Sequence, residues 1–140
     1  APLWAAGQDF DHGTGHGVGS YLSVQEGPQR IAKANSDEPL QPGMILSNEP
    51  GYYKAGDFGL RIENLVIVVP RPKEGDERDM LGFETITFAP IDQNMIVVEM
   101  LSDDEKEWLN SYHQQVREVV HPQVDGEVAH WVVDATQPVN

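Results

Sequence analysis

Glycine holds every second position of Gly13-Thr14-Gly15-His16-Gly17-Val18-Gly19, directly after Asp11-His12, and no other run restricts the chain as tightly. Two histidines four residues apart would share one face of a helix, as zinc-binding helices present their ligands. Each glycine inside a helix, however, costs about 1 kcal/mol relative to alanine, so this run is no helix. Repeated glycine instead permits close backbone approach and positive φ, which suits a tight chain that places imidazoles in a crowded polar centre. A phosphate-binding loop fails on spacing. The third glycine of G-x-G-x-x-G would fall on Val18, and no G-K-[ST] follows. A Gly-rich loop with incidental histidines is the plain alternative.

Two carboxylates stand where a chain rarely leaves them unpartnered. Met44-Ile45-Leu46-Ser47-Asn48-Glu49 reads as a strand that follows the turn Gln41-Pro42-Gly43 and stops at Pro50-Gly51. Gly59 to Val69 is rich in β-branched residues and predicts a second strand, paired antiparallel with the first across a short connection. It carries Glu63 within an otherwise largely apolar run, and an isolated buried charge is strongly unfavourable. Period two puts Arg61 on the same face as Glu63, so Arg61 or a metal ion could compensate it; an edge strand with both side chains in water would also do so. One imidazole and two carboxylates on neighbouring strands form a mixed N/O set suited to Mn, Fe, Co or Zn.

The remaining chain supplies framework. Residues 9–28 should be loop and short strand, 29–43 polar loop, and 70–82 a charged surface loop. Phe83–Pro90 and Met95–Met100 are strand candidates. Ser102-Asp103-Asp104-Glu105 matches a capping box, and Trp108, Leu109, Tyr112, Val116, Val119 and Val120 recur at helical spacing until Pro122, predicting a helix over 103–120. Gly126–Ala135 predicts a last short helix with Val128, Trp131, Val132 and Ala135 facing inward. With 140 residues and 39% hydrophobic content, the chain suffices for one compact domain or a piece of one. A formal charge of -14 disfavours nucleic acid and anionic membranes as partners. No apolar run is long enough to span a bilayer. The absence of cysteine excludes disulfides and thiolate chemistry, and is compatible with the cytoplasmic location we expect. No initiator Met precedes the dense motif, so the natural N-terminus is expected upstream.

Taken in order, His12-Gly13-Thr14-Gly15-His16-Gly17-Val18-Gly19, Glu26-Gly27-Pro28, Asn48-Glu49-Pro50-Gly51-Tyr52-Tyr53 and Arg61-Ile62-Glu63-Asn64 resemble the aminopeptidase P members of the creatinase and methionine aminopeptidase superfamily. The similarity continues through Asp103–His113 and Gln137-Pro138. It implies an α+β fold: residues 1–140 as the C-terminal part of a single pita-bread metallopeptidase domain, with antiparallel strands and a C-terminal helix. It also implies two divalent ions, manganese first with zinc, cobalt and iron as alternatives, held by two Asp, one His and two Glu. By resemblance His16, Glu49 and Glu63 are the His and Glu ligands, Glu63 bridging both ions. His12 matches a residue that binds the substrate carbonyl or oxyanion, and Arg61 and Tyr53 match a supporting hydrogen-bond network. The implied reaction is hydrolysis of the bond between an N-terminal residue and a following proline by a water bridging the ions. The partners implied are peptides with proline second and, in the full-length protein, a second copy forming a homodimer.

Two departures qualify the resemblance. The aspartate pair of an Asp-x(10)-Asp pattern is not in the chain, because Asp9 and Asp11 lie too close to the histidine motif, so the metal site is incomplete here and the chain is expected to be inactive alone. Gln25 also stands before Glu26-Gly27-Pro28 where many members carry histidine, and a neutral amide cannot shuttle protons. The rival readings are a prolidase-type dipeptidase and a non-catalytic pita-bread binding module.

Overall fold

The computed structural model describes residues 2–21, 23–34 and 36–140, so Leu22 in the 9–28 stretch and Asn35 in the 29–43 stretch lie outside the described residues. The chain divides into two compact units, Ala1–Thr87 and Phe88–Asn140. Antiparallel strands build the first and helices the second, which makes the chain α+β as expected.

In the first unit a short helix α1 (Pro2–Ala5) is followed by β1 (Gly15–His16) and β2 (Arg30–Ile31), which pair antiparallel. After the turn at Gly43, whose φ of 90° favours glycine, come β3 (Ile45–Asn48), β4 (Gly51–Lys54), β5 (Phe58–Arg61), β6 (Asn64–Pro70) and β7 (Leu81–Thr85). The expected pairing of 44–49 with the following strand is present: β3 runs antiparallel to β6, which also pairs with β7. The single strand expected over 59–69 is instead two, β5 and β6, and the expected loop contains β4, which pairs with β5. The interruption has a local cause. Pro50 has no N–H to give a ladder, and the backbone bridges the gap with one bond from Ile62 N–H to Pro50 O at 3.3 Å.

The register on either side of that gap is the same. Asn48 pairs with Asn64 before it and Gly51 with Arg61 after it, so Glu49 stands opposite Glu63. Leu46, Val66 and Val68 form the buried core beneath, with Ile31, Leu40 and Met44 packed against them. The strand expected over 83–90 is confined to Leu81–Thr85. Beyond it the Thr87 hydroxyl accepts the Leu65 N–H at 2.7 Å, replacing a backbone partner, and Pro90 could not have extended the ladder.

In the second unit α2 (Asp103–Val120) occupies the range expected, with both halves of the Ser102–Glu105 capping box formed. α3 (Gly126–Ala135) also matches its expected range. The inward sets differ from expectation. Leu109, Tyr112 and Val116 are buried, but Trp108 and Val119 are exposed and His113 is buried instead. Trp108 stacks on Tyr112 with ring centroids 5.4 Å apart, so it covers the buried stripe from its flank. On α3, Ala129 and Val132 are buried while Val128 and Trp131 are exposed. Met95–Met100 is no strand: Gln93–Met95 and Val98–Met100 form single 3-10 turns, the first capped by Asp92, whose side chain accepts from Asn94 N–H at 2.9 Å. Asn110 clasps the Val139 backbone through two bonds of 2.9 and 2.8 Å, and Arg117 donates to both the hydroxyl and the carbonyl of Thr136. No helix among the described residues is long and apolar enough to cross a membrane.

Candidate functional site

The glycine run turns out to be close approach rather than positive φ. A side chain at Gly15 would place its Cβ 1.9 Å from Ser47 O, and one at Gly17 would lie 2.0 Å from Glu26 O. Neither glycine has positive φ. Their bare backbones let 14–17 press against β3: Glu49 N–H donates to Thr14 O at 2.6 Å, Val18 N–H reaches Ile45 O at 3.3 Å, and Gly17 bridges Leu46. This seam delivers His16 to Glu49. His16 Nε2 lies 3.0 Å from Glu49 Oε1.

His16 Nδ1 lies 2.9 Å from Gly17 O, and a carbonyl can only accept, so Nδ1 carries a hydrogen. In the neutral ring Nε2 is then a lone pair facing a carboxylate oxygen. Two acceptors 3.0 Å apart repel unless a second proton or a cation lies between them. A histidine whose other nitrogen is fixed by a backbone carbonyl is also the usual form of a metal-binding imidazole.

Glu49 is only 7% exposed, and the rest of its carboxylate is fully engaged. Ser47 Oγ donates to Oε1 at 3.0 Å and Arg61 Nη1 donates to Oε2 at 2.7 Å. Arg61 Nη1 also lies 3.7 Å from Glu63 Oε2, so the two opposed carboxylates share one guanidinium. Arg61 Nε donates to the Tyr53 hydroxyl at 2.9 Å, and this bond, ahead of the two carboxylates, raises the Arg61 pKa and keeps its charge secure. Tyr53 lies across Gly51 and Gly59, where added Cβ atoms would each meet its ring or hydroxyl at 2.8 Å. His12 meets the Tyr53 ring edge-on with centroids 5.3 Å apart. Its Nδ1 donates to Gly13 O at 2.5 Å, and its buried Nε2 has no partner.

All six residues singled out from the sequence thus lie in one connected network, His16–Glu49–Arg61–Glu63 with Tyr53 and His12 beside it. His16 and Glu49 touch directly, whereas Glu63 is joined only across Arg61, and among the described residues no three such side chains stand ready to hold an ion by themselves. Their donor types fit a divalent cation of the Mn, Fe, Co or Zn kind as an incomplete set. An open cleft of about 560 Å³ starts at His16 and is lined further by Gln25, Glu26, Pro28, Arg30 and Glu38. Sequence reading missed Ser47, which period two places on the face of Glu49; a hydroxyl inside an apolar strand was the available signal.

Comparison with known proteins decides the family. Residues 1–70 match the model of metallopeptidase family M24 and residues 79–139 that of the C-terminal region of peptidase M24. The chain belongs to metallopeptidase family M24. Within M24 it is 49% identical over 141 residues to aminopeptidase P2 of Arabidopsis thaliana, covering 98% of this chain and 20% of the relative. It is 46% identical over 125 residues to Xaa-Pro aminopeptidase 1 of Dictyostelium discoideum, covering 88% of this chain and 20% of the relative. The crystal structure of X-prolyl aminopeptidase from Caenorhabditis elegans, described as a cytosolic enzyme with a di-nuclear active site, superposes with a TM-score of 0.88 at 35% identity, over 98% of this chain and 23% of that one. The chain therefore shares its fold with part of an M24 peptidase and spans about a fifth of the length of the curated relatives it matches.

Proposed function

We propose that this chain carries the C-terminal share of the active site of an aminopeptidase that removes an N-terminal residue preceding proline. The observation that carries the reading is the contact of His16 Nε2 with Glu49 Oε1, an imidazole lone pair aimed at a buried carboxylate, which a second proton or a bound cation would satisfy. His16, Glu49 and Glu63 would hold divalent ions, manganese in this reading, with the remaining carboxylates supplied from outside these residues. When bound, such ions supply Lewis acidity toward the scissile carbonyl and a water nucleophile at neutral pH.

The chain's own residues account for orientation and charge. Arg61, anchored by Tyr53, holds Glu49 Oε2 and offsets the repulsion between Glu49 and Glu63. His12 has spent its Nδ1 hydrogen on Gly13 O, so its orphaned Nε2 donates to a substrate carbonyl or oxyanion only when the ring is doubly protonated. The cleft beside Gln25 offers an amide, not an imidazole, to a bound peptide, which positions without moving a proton. A cytoplasmic location and a homodimeric full-length protein belong to the same reading.

The test is release of the N-terminal residue from peptides with proline second, with added Mn, comparing these 140 residues with the protein extended upstream to include the aspartate pair. The short chain should show no measurable hydrolysis and the extended protein should, with Glu63→Ala abolishing it. Cleavage of Xaa-Pro dipeptides alone would identify a prolidase. Silence of the extended protein on every peptide would make it a binding module.

A further inference from the structure

We infer that Ser47 is a positioning residue that sets how Glu49 and His16 are presented to a metal ion; the inference rests on the metallopeptidase reading above. Ser47 is completely buried, at 0% exposure, so no water can stand in for its partners. A hydroxyl has one proton. His16 N–H donates into Oγ at 3.0 Å, and the single proton is left for Glu49 Oε1, also at 3.0 Å. One side chain therefore binds the backbone of one candidate ligand and the carboxylate of the other.

The position of that hydroxyl has no slack. Glu49 N–H to Thr14 O and the Gly17–Leu46 bridge fasten the seam on either side of Ser47, and the Gly15 backbone lies so close to Ser47 O that not even a methyl group fits. With Ser47 on one lone pair of Oε1 and Arg61 on Oε2, the direction left free on Oε1 is toward His16 Nε2. Without the hydroxyl, the Glu49 carboxyl group could rotate about its last torsion, which is broad and soft for glutamate. Partners of this kind outside the ligand set typically hold 10–100-fold of metal affinity.

The experiment titrates the extended protein with Mn and reads free ion by its electron paramagnetic resonance signal. Ser47→Ala should weaken Mn binding roughly 10–100-fold. Threonine and valine fill equal space and differ by the hydroxyl, so Ser47→Thr should retain near-native affinity and Ser47→Val should match the alanine variant. Melting temperatures without metal, compared across the pair, separate loss of fold from loss of presentation. Native affinity in Ser47→Ala, or equal affinity in the Thr and Val variants, would overturn the role of the hydroxyl. If Glu49→Gln binds Mn as tightly as the unaltered protein, the metal reading itself fails and the inference falls with it.

Discussion

The seam of residues 14–17 against 45–49 and the helix 103–120 solve opposite problems. The helix is regular: a capping box starts it, a periodic stripe buries it, and its aliphatic positions Leu109 and Val116 could each be filled by any of several aliphatic residues. The seam has little regularity, with β1 only two residues long, and it is held by backbone contact and by polar side chains with assigned partners. Apolar packing tolerates substitution and specifies an orientation loosely. Backbone-to-backbone approach tolerates almost nothing, and that intolerance is what holds an imidazole 3.0 Å from a carboxylate.

The contrast is sharpest in what each region loses on mutation. In the helix, Leu109→Ala removes a side chain that is 4% exposed and should cost about 2–5 kcal/mol. Trp108→Ala, on the 53% exposed flank, should cost clearly less despite removing more atoms. Urea denaturation followed by helical circular dichroism measures both, and equal losses would mean that the stripe reaches Trp108 after all.

In the seam, Gly15→Ala adds one methyl group and should cost about 1–3 kcal/mol, because the obstructing atom is Ser47 O of the backbone. The same addition at Gly27, where a Cβ meets nothing within 4 Å, should be nearly neutral. Similar melting temperatures for the two variants would show that 14–17 can draw back from β3, and the seam would then be looser than the helix in kind as well as in shape.

The smallest expected effect tests whether the helix is as purely apolar as its stripe suggests. His113 is buried, its Nε2 accepts Ile91 N–H at 3.0 Å, and burial followed by the nearby Arg117 charge lowers its pKa. The unfolded chain therefore binds a proton that the folded chain resists, so its contribution is full above the ordinary histidine value of about 6.5 and is lost as pH falls below it. Urea midpoints taken between about pH 8 and pH 5 should decline, and His113→Gln should flatten the decline. An unchanged slope in that variant would assign the pH dependence to other groups.

What could be read from the chain follows from how local each signal is. The capping box and stripe predict α2 because helix hydrogen bonds and side-chain neighbours lie within four residues of one another. The same locality misleads at Met95–Met100, where an apolar run without a partner strand folds into 3-10 turns, and at Trp131, where helical spacing alone cannot say which face is covered. The break between β5 and β6 was foreshadowed by Pro50, yet it lies in the opposite strand, and only the pairing carries its effect to Ile62 and Glu63.

By itself the sequence determined which groups were available: the histidines among glycines, a carboxylate at the end of one strand and another within the next, and an arginine two residues before the second. It could also require that a buried carboxylate find a cation, since charge and desolvation are properties of residue type; the structure buries Glu49 and leaves the Glu63 side chain 43% exposed, so only Glu49 meets that requirement. Only the tertiary structure decided which cation each one meets, that Arg61 lies between the carboxylates while His16 faces Glu49 alone, and that Ser47 joins His16 to Glu49. The contacts of Glu49 with Arg61 and of His16 with Ser47 and Glu49 join residues 12 to 33 positions apart, fixed by strand register and by the room that glycine leaves for a second backbone, and no local rule of the chain contains them.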